Sequence, residues 1–288
     1  MTGPERGGLR HDELTGHDVL LTSVCAQGKP TAGQVTGPCP FCGELEHGQQ
    51  DAVVDRSGAV PIPYHRNPWP LAADAPAFVV LLGEAHRAHP SEVSGPEWTS
   101  ALSVALRLAG TTTHGQVLGN LGAGSGSSVE HLHLQVVGLG AVPPLLRREA
   151  RLLHGAQCLL CHTHIGVPLT LPGGPLRVVV ADAAATGEVR VVGGHHGTPT
   201  AAELAALGAL LPSLFGAYTA LGWADAQLAL HAGEAGADFH WHLHVRPVAG
   251  PIGMLETLLG LSVVRVAPDE VAARLNRALK AGPGRSSS

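Results

Sequence analysis

Two short motifs occur twice in this chain, and this repetition is the feature that most constrains its fold. A Cys-x-x-Cys motif at residues 39–42 recurs at 158–161, and a His-x-His motif at 131–135 recurs at 240–244. The offsets are 158 − 39 = 119 and 240 − 131 = 109 residues. Because the motifs recur in the same order at similar spacing, the sequence predicts two copies of one folding unit.

The hydrophobic pattern predicts similar elements in both copies. In the first, residues 78–82 and 116–118 have the composition of strands, 94–108 have helical apolar spacing, and 130–137 alternate with a period of two. In the second copy the predicted elements are strands at 178–180 and 189–192, a helix at 201–221 kinked at Pro212, and an alternating strand at 239–245. The pattern predicts an α+β fold of two tandem repeats, each an antiparallel sheet with packed helices.

The domain boundaries follow from the repeat. The first unit is predicted at residues 1–140 and the second at 141–281, with a short terminal helix at 269–281. The last seven residues, 282–288, are rich in Gly and Ser and are predicted to be disordered.

Composition excludes some functional classes. Charged residues make up 14% of the 288 residues, the net charge is -5, and no segment carries a basic cluster, so we expect no nucleic-acid partner. The N-terminal segment lacks an apolar export signal, and apolar stretches such as 78–82 are short for a membrane span, so we expect a cytoplasmic protein without a membrane partner. In a reducing compartment, Cys-x-x-Cys pairs indicate metal binding more than disulfides.

The first His-x-His motif stands beside a flexible polar loop. His131, His133 and Gln135 share one face of the predicted strand because alternate side chains point the same way. The Gly/Ser loop at 120–128 comes directly before, and its backbone N–H groups and hydroxyls suit a phosphate. The pair of features places an anion-binding loop beside an imidazole that can act as a nucleophile.

These residues carry a resemblance to a known family. Asn120, eleven residues before His131 with the Gly/Ser loop between them, resembles the active-site segment of the galactose-1-phosphate uridylyltransferase family, in the histidine-triad (HIT-like) superfamily. Further matches are found in residues 10–16, the Cys pair at 39–42, residues 67–71, His86, Glu149 and Glu256. The resemblance implies that each repeat is HIT-like, with a half-barrel sheet.

The resemblance also implies metal sites. A first zinc site would consist of Cys39, Cys42, His86 and His131, a set that suits tetrahedral zinc. A second set, Glu149, His231, His242 and His244, corresponds to a site for zinc or iron that only some members have; a polar network without metal is the alternative. The second Cys pair leaves a further possibility open, zinc on Cys158, Cys161, His240 and either His195 or His196.

The catalytic roles likewise follow from the resemblance. His133 would attack the α-phosphorus of a nucleoside diphosphate sugar, forming a covalent nucleotidyl-histidine that a sugar 1-phosphate then discharges. Gln135 and Ser128 would assist at the phosphoryl oxygens. The residues expected to contact substrate are Arg10, Asn67, Asn120, Gly122, Gly126, Ser127 and Glu256. A homodimer is expected.

Departures from the family indicate a changed substrate. Ala26 stands where a nucleotide-side Arg is expected, and residues 250–256 lack the family's hexose contacts; Leu132 replaces a Pro but faces the core. The leading prediction is a ping-pong nucleotidyltransferase. A phosphorylase or hydrolase acting on nucleotide sugars or dinucleoside polyphosphates is the first alternative, and a non-catalytic zinc-binding nucleotide sensor is the second.

Overall fold

The computed structural model describes residues 9–13, 18–20, 38–42, 52–67, 75–163, 165–171, 174–233 and 237–281. Within them, a ten-stranded antiparallel sheet organises the fold, and a separate pair of short strands lies near the N-terminus. The strands are β1 (Leu9–His11), β2 (Asp18–Leu20), β3 (Ala52–Asp55), β4 (Ile62–Arg66), β5 (Phe78–Leu81), β6 (Gln116–Leu121), β7 (His133–Val137), β8 (Gly166–Pro168), β9 (Arg177–Ala181), β10 (Val189–His196), β11 (Ala226–His231) and β12 (His240–Pro247). The helices are α1 (Gly95–Ala109), α2 (Pro144–Leu152), α3 (Leu159–His162), α4 (Ala201–Ala220), α5 (Met254–Leu259) and α6 (Pro268–Ala281).

The strand order of the large sheet is symmetric about its centre. The order is β3-β4-β5-β7-β6-β11-β12-β10-β9-β8, so β6 and β11 are the central pair. On either side, two strands, a helix and two further strands follow one another along the chain, as β4-β5-α1-β6-β7 and β9-β10-α4-β11-β12. The α+β class and the antiparallel pairing predicted from the sequence are therefore observed, with both sets of strands in one continuous sheet. The boundary at residue 140 stays a prediction.

The two long helices begin with the same N-terminal motif, a capping box. Ser94 before α1 and Thr200 before α4 each accept a hydrogen bond from the backbone N–H three residues on, and Glu97 and Glu203 bond back to the capping residue's N–H. These capping boxes satisfy donors that a helix start otherwise leaves unpaired. The predicted bounds of both helices agree with the structure to within one residue, and α4 runs through Pro212.

Helix α4 supplies much of the core. It is long and apolar enough to cross a membrane by length and composition alone, contrary to the expectation drawn from the shorter stretches. Leu207, Leu211 and Leu214 are nonetheless fully buried, and they belong to the core cluster that α1, α4 and α6 form against the sheet. We therefore interpret α4 as a core helix.

The sheet has two chemically different faces. Leu132 and Leu134 on one side, like Leu243 and Val245 in the second half, point into the helical core. Because side chains alternate along a strand, the polar residues between them project from the opposite face. That opposite face carries the residues of the candidate site and is called the polar face below.

Candidate active site and metal clusters

A row of polar residues crosses four strands on the polar face. Asn120 on β6 pairs with Gln227 on β11, and Gln227 pairs with Arg246 on β12. On the other side β6 pairs with β7, with Leu118 opposite Gln135, and His133 lies two residues before Gln135 on the same face of β7. The row His133, Asn120, Gln227, Arg246 therefore joins the two halves of the chain.

His133 is held in a defined orientation. Its Nδ1 lies 2.8 Å from the backbone oxygen of His131, and the ring is buried. A neutral imidazole that donates Nδ1–H to a carbonyl carries its lone pair on Nε2. The Phe41 and His133 rings pack in a T-shaped arrangement, with ring centroids 5.2 Å apart. With Nδ1 held in this way, Nε2 is the ring nitrogen that would carry the lone pair.

The Gly/Ser loop follows β6 and turns by means of glycines. Gly122 has φ +93° and Gly126 has φ +92°, a conformation that favours glycine. The Ser127 hydroxyl donates to the Val129 carbonyl at 2.7 Å, so it stabilises the loop internally. Gln227 reaches the same loop from β11, donating to the Ser125 carbonyl at 3.1 Å. The loop is tied to both halves of the sheet.

The first cysteine cluster contains Cys39, Cys42, His86 and His131, whose ligand atoms all lie within 4.8 Å of one another. The Nδ1 atom of His131 is 4.0 Å from Cys39 Sγ and 3.5 Å from Cys42 Sγ, and His86 Nδ1 is 3.4 Å from Cys42 Sγ. A tetrahedral zinc ion with ordinary bond lengths places sulfur and nitrogen ligands roughly 3.6 Å apart. The donor set and its spacing fit zinc.

The second cysteine cluster, Cys158, Cys161, His196 and His240, occupies the matching place in the other half of the sheet. Cys161 Sγ lies 3.3 Å from His196 Nε2 and 3.3 Å from His240 Nδ1, and Cys158 Sγ lies 3.4 Å from His240 Nδ1. His240 Nε2 faces the Gly193 carbonyl at 2.9 Å, as His131 Nε2 faces that of Gly83 at 3.3 Å. These contacts leave Nδ1 of both rings directed at the cysteines, so this set also fits zinc.

The glutamate cluster, Glu149, His231, His242 and His244, lies on the polar face of β11 and β12. Glu149 approaches His231 Nδ1 at 2.8 Å and His242 Nε2 at 3.6 Å. His244 Nε2 is buried and has no hydrogen-bond partner among the described residues. Together with the Glu149 carboxylate and the two other imidazoles, this nitrogen forms a donor set that suits a metal ion.

Carboxylates outside two of the clusters orient their histidines. Glu188 Oε1 accepts from His244 Nδ1 at 2.9 Å, and Asp238 bonds to Nδ1 of His196. Fixing one ring nitrogen in this way directs the other toward the cluster, which is how outer carboxylates act in metal sites.

The ionisation of the clusters agrees with this interpretation. Burial lowers the pKa values of His131, His240 and His244, which keeps the rings neutral as metal ligands must be. Burial raises the pKa of Glu149, but hydrogen bonds to His231 and His242 outweigh it and hold that pKa well below its usual range. Glu149 is therefore an anion.

Solved structures resemble this architecture over nearly its whole length. A uridylyltransferase structure superposes with a TM-score of 0.74 at 20% identity, covering 95% of this chain and 98% of that one. The chain therefore has the uridylyltransferase fold. An ADP-glucose phosphorylase from Arabidopsis thaliana, solved with bound ADP-glucose, has a TM-score of 0.69 at 20% identity over 93% of this chain and 97% of that chain. A GalT-like protein from Arabidopsis thaliana has a TM-score of 0.68 at 19% identity, with 95% and 98% covered.

Comparison with protein-family profiles and with curated sequences finds no such relationship. No protein-family profile matches the chain, and no curated protein sequence matches it. The uridylyltransferase fold is thus recognised through the structure and through the short motifs described above.

The remaining predicted site residues have varied positions in this uridylyltransferase fold. Asn67 follows β4, where its backbone N–H bonds to the Ala77 carbonyl at 2.8 Å. Glu256 lies in α5 and accepts from the Gly253 N–H at 2.9 Å, on the rim of a cavity that the glycine loop also lines. Arg10 pairs with Val19 in the strand pair β1–β2. The roles assigned to these residues and to Ser128 stay predictions.

Some expectations fall outside the described residues, namely part of segments 10–16 and 67–71, the comparison at Ala26 and the tail at 282–288. Of the two alternatives for the second cysteine cluster, His196 joins it, whereas His195 bonds to Glu203 at 3.2 Å and to the Thr198 carbonyl at 3.1 Å. The second cysteine cluster and the glutamate cluster coexist, so neither excludes the other.

Sequence reasoning missed four residues that lie beside the candidate site: Asp225, Gln227, Glu188 and Arg246. Gln227 and Arg246 alternate in phase with His231 and His244 on their strands, a signal that could have placed them on the polar face. Glu188 and Asp225 lie at strand starts, and nothing in their local sequence indicates their partners.

Proposed function

We propose that this protein is a nucleotidyltransferase that moves a nucleoside monophosphate from a nucleoside diphosphate sugar to a phosphate-bearing acceptor such as a sugar 1-phosphate, with His133 as the covalent nucleophile. The observation that carries the proposal is the orientation of His133, whose Nδ1 faces the His131 carbonyl at 2.8 Å beside the glycine loop. The uridylyltransferase fold supports the same reaction class.

In the first half-reaction the Nε2 lone pair of His133 would form a bond to the α-phosphorus, and the bond from that phosphorus to the bridging oxygen would break. The sugar phosphate leaves with that bond pair. Positioning and charge stabilisation carry most of the catalysis of such displacements. In this proposal the backbone N–H groups of the loop, together with Gln135 and Ser128, donate hydrogen bonds to the phosphoryl oxygens.

In the second half-reaction an oxygen of the acceptor phosphate would attack the same phosphorus. The phosphorus–nitrogen bond then breaks, and its electron pair returns to Nε2 of His133. Because the enzyme ends as it began, the cycle is a ping-pong exchange.

The metal clusters have a supporting part in this proposal. Cys39, Cys42, His86 and His131 would hold a zinc ion that fixes the start of β7, two residues from the nucleophile. The second cysteine cluster and the glutamate cluster would hold further ions, zinc in the former and zinc or iron in the latter. A homodimer and a cytoplasmic location stay predictions of the sequence.

The second candidate function is a phosphorylase, in which inorganic phosphate takes the nucleotide from His133. The fold shared with an ADP-glucose phosphorylase favours it over simple hydrolysis. The two functions use the same first half-reaction and differ only in the acceptor.

The test is intact mass spectrometry of the zinc-loaded protein after incubation with a panel of nucleoside diphosphate sugars that includes ADP-glucose and UDP-hexoses. We expect a nucleotide-sized adduct on the wild type that is lost in His133→Ala and kept in His89→Ala, which changes an exposed histidine outside the three clusters. If no donor gives an adduct at full zinc occupancy, the covalent mechanism is wrong and the nucleotide sensor is favoured.

A further inference from the structure

Arg246 is the cationic end of the polar row and borders three neighbouring cavities. It pairs across the sheet with Gln227, which pairs with Asn120. Three strand spacings, about 14 Å, separate its backbone from that of His133. A ligand that reacts at His133 and extends along the row therefore runs toward Arg246.

The three cavities meet at the second half of the sheet. One cavity is lined by residues of the glycine loop, a second by Asn120 and Gln135, and a third by residues of the glutamate cluster. Arg246 lines all three. The Arg246 side chain is exposed, and it makes no hydrogen bond or ion pair with another described residue. Its guanidinium is thus available to a ligand from each of these directions.

The cavity beside the glycine loop contains the donors that a phosphate needs. Its volume is about 320 Å³, and Gly124, Gly126, Arg246 and Arg265 line it. Arg265 is anchored, since its Nη2 donates to the Pro251 carbonyl at 3.1 Å and its backbone N–H donates to Thr186 Oγ1 at 2.9 Å. Glu256 is the acidic residue of the lining, and its Oε2 accepts a hydrogen bond from the Gly253 N–H.

We propose that Arg246, with Arg265, makes this cavity the binding site for the phosphate group of the second substrate. This inference rests on the proposed function and deepens it, because it states that the acceptor is a phosphate dianion or a phosphate monoester rather than water. Guanidinium groups bind phosphate through short, charge-assisted hydrogen bonds in a forked geometry. The donor's leaving phosphate occupies the same site in the reverse reaction.

The site acts when the nucleotidyl-histidine is discharged. An oxygen of the phosphate held at Arg246 attacks the α-phosphorus, its lone pair forms the new phosphorus–oxygen bond, and the phosphorus–nitrogen bond pair returns to His133. Arg246 makes no covalent bond; it binds and orients the attacking phosphate. Water needs no such contact, so hydrolysis of the intermediate is independent of Arg246.

The experiment isolates the nucleotidylated protein free of donor and follows its discharge by intact mass at increasing concentrations of inorganic phosphate and, separately, of glucose 1-phosphate. For Arg246→Gln we expect the second-order rate constant of phosphate-driven discharge to fall roughly 10- to 100-fold, since a charge-assisted contact is lost. The slow discharge by water alone should keep its wild-type rate. Arg246→Lys should recover part of the loss.

The matched control is Arg274→Gln, which removes an exposed arginine paired with Glu270 on α6, away from the polar face. Discharge rates in this variant should equal those of the wild type. Equal loss of the phosphate-driven and water-driven rates in Arg246→Gln, or no loss in either, would overturn the subsite while leaving the covalent mechanism intact. If the wild type forms no adduct, it is the proposed function that fails.

The two acceptors identify the source of the phosphate. Faster discharge by inorganic phosphate supports a phosphorylase, and faster discharge by glucose 1-phosphate supports a transferase; either result agrees with the subsite. Discharge that does not depend on the concentration of either acceptor contradicts it.

Discussion

Asp225 holds the glycine loop from the opposite half of the chain: its Oδ2 accepts a hydrogen bond from the Gly124 N–H at 3.1 Å. The fit is close, because a Cβ at Gly122 would lie 1.9 Å from Asp225 Oδ1 and one at Gly124 would lie 2.4 Å from Oδ2. The conformation of the loop therefore depends on a carboxylate that comes 101 residues later in the sequence.

The first prediction concerns this carboxylate. We expect Asp225→Ala to lower the rate constant of adduct formation roughly tenfold, because the loop loses the charge-assisted hydrogen bond that positions it. The loop amides should also exchange hydrogen faster in the variant. Asp225→Asn, which keeps an acceptor oxygen, should retain most of the activity, and Asp182→Ala, an exposed acid elsewhere, should have no effect. An unchanged rate constant and unchanged exchange in Asp225→Ala would exclude this positioning role.

The second prediction separates the two cysteine clusters. Each of Cys42→Ser and Cys161→Ser should lose about one equivalent of zinc, because each removes one of four ligands. Only Cys42→Ser should also slow adduct formation, since its cluster includes His131, two residues from the nucleophile. Metal analysis by mass spectrometry with parallel adduct assays measures both effects. Full zinc content in either variant would show that the corresponding cluster is not a zinc site.

The third prediction concerns the buried carboxylate behind the glutamate cluster. Glu188 Oε1 accepts from His244 Nδ1 at 2.9 Å and from Arg190 Nε at 3.2 Å. We expect Glu188→Gln to weaken metal binding at the glutamate cluster roughly 10- to 100-fold, as is usual when such an outer partner is lost. Titration with a chelator, comparing wild type, Glu188→Gln and the exposed control Asp182→Asn, measures the difference. Identical chelator midpoints would rule out an orienting role for Glu188.

The fourth prediction is a pH dependence of stability that comes from the helix caps. Burial raises the pKa of Glu97, but hydrogen bonds to Ser94 and the neighbouring Arg87 outweigh it, and the pKa lies below its ordinary value of 4.5. The pKa of Glu203 is lowered in the same way, chiefly by hydrogen bonds to backbone N–H groups at Thr200 and Gly194. Because the folded-state pKa values are depressed, the stabilisation is complete above the unfolded-state pKa and is lost as the pH falls through the folded-state values.

The measurement is urea unfolding of the wild type and of the double variant Glu97→Gln, Glu203→Gln between pH 3 and pH 7. The double variant should be less stable than the wild type at pH 7. The difference in their free energies of unfolding should become smaller as the pH falls below about 4.5. Comparing the two proteins at each pH cancels the shared effect of acid on the metal clusters. A difference that stays constant from pH 7 to pH 3 would contradict the assignment.

Much of the fold could be read from local sequence. The alternation at 239–245 predicted β12, and the capping residues Ser94 and Thr200 agree with the predicted starts of α1 and α4. These features are local, since hydrophobic period and capping chemistry act within a few residues of one another. The apolar composition of α4 can also be read from the sequence. Its burial against the sheet and α1 depends on packing between distant segments, which the local pattern does not predict.

The sequence by itself determined the repeated motifs, the α+β class, the order of the elements and the residue types that gather in each cluster. Only the tertiary structure decided that β6 and β11 join the halves, that His196 rather than His195 completes the second cysteine cluster, and that Arg246 lies in one row with His133. The physical reason is that strand register and cross-strand contacts are made between residues far apart in the chain. Their partners are therefore set by the packing of the whole sheet and not by the neighbouring sequence.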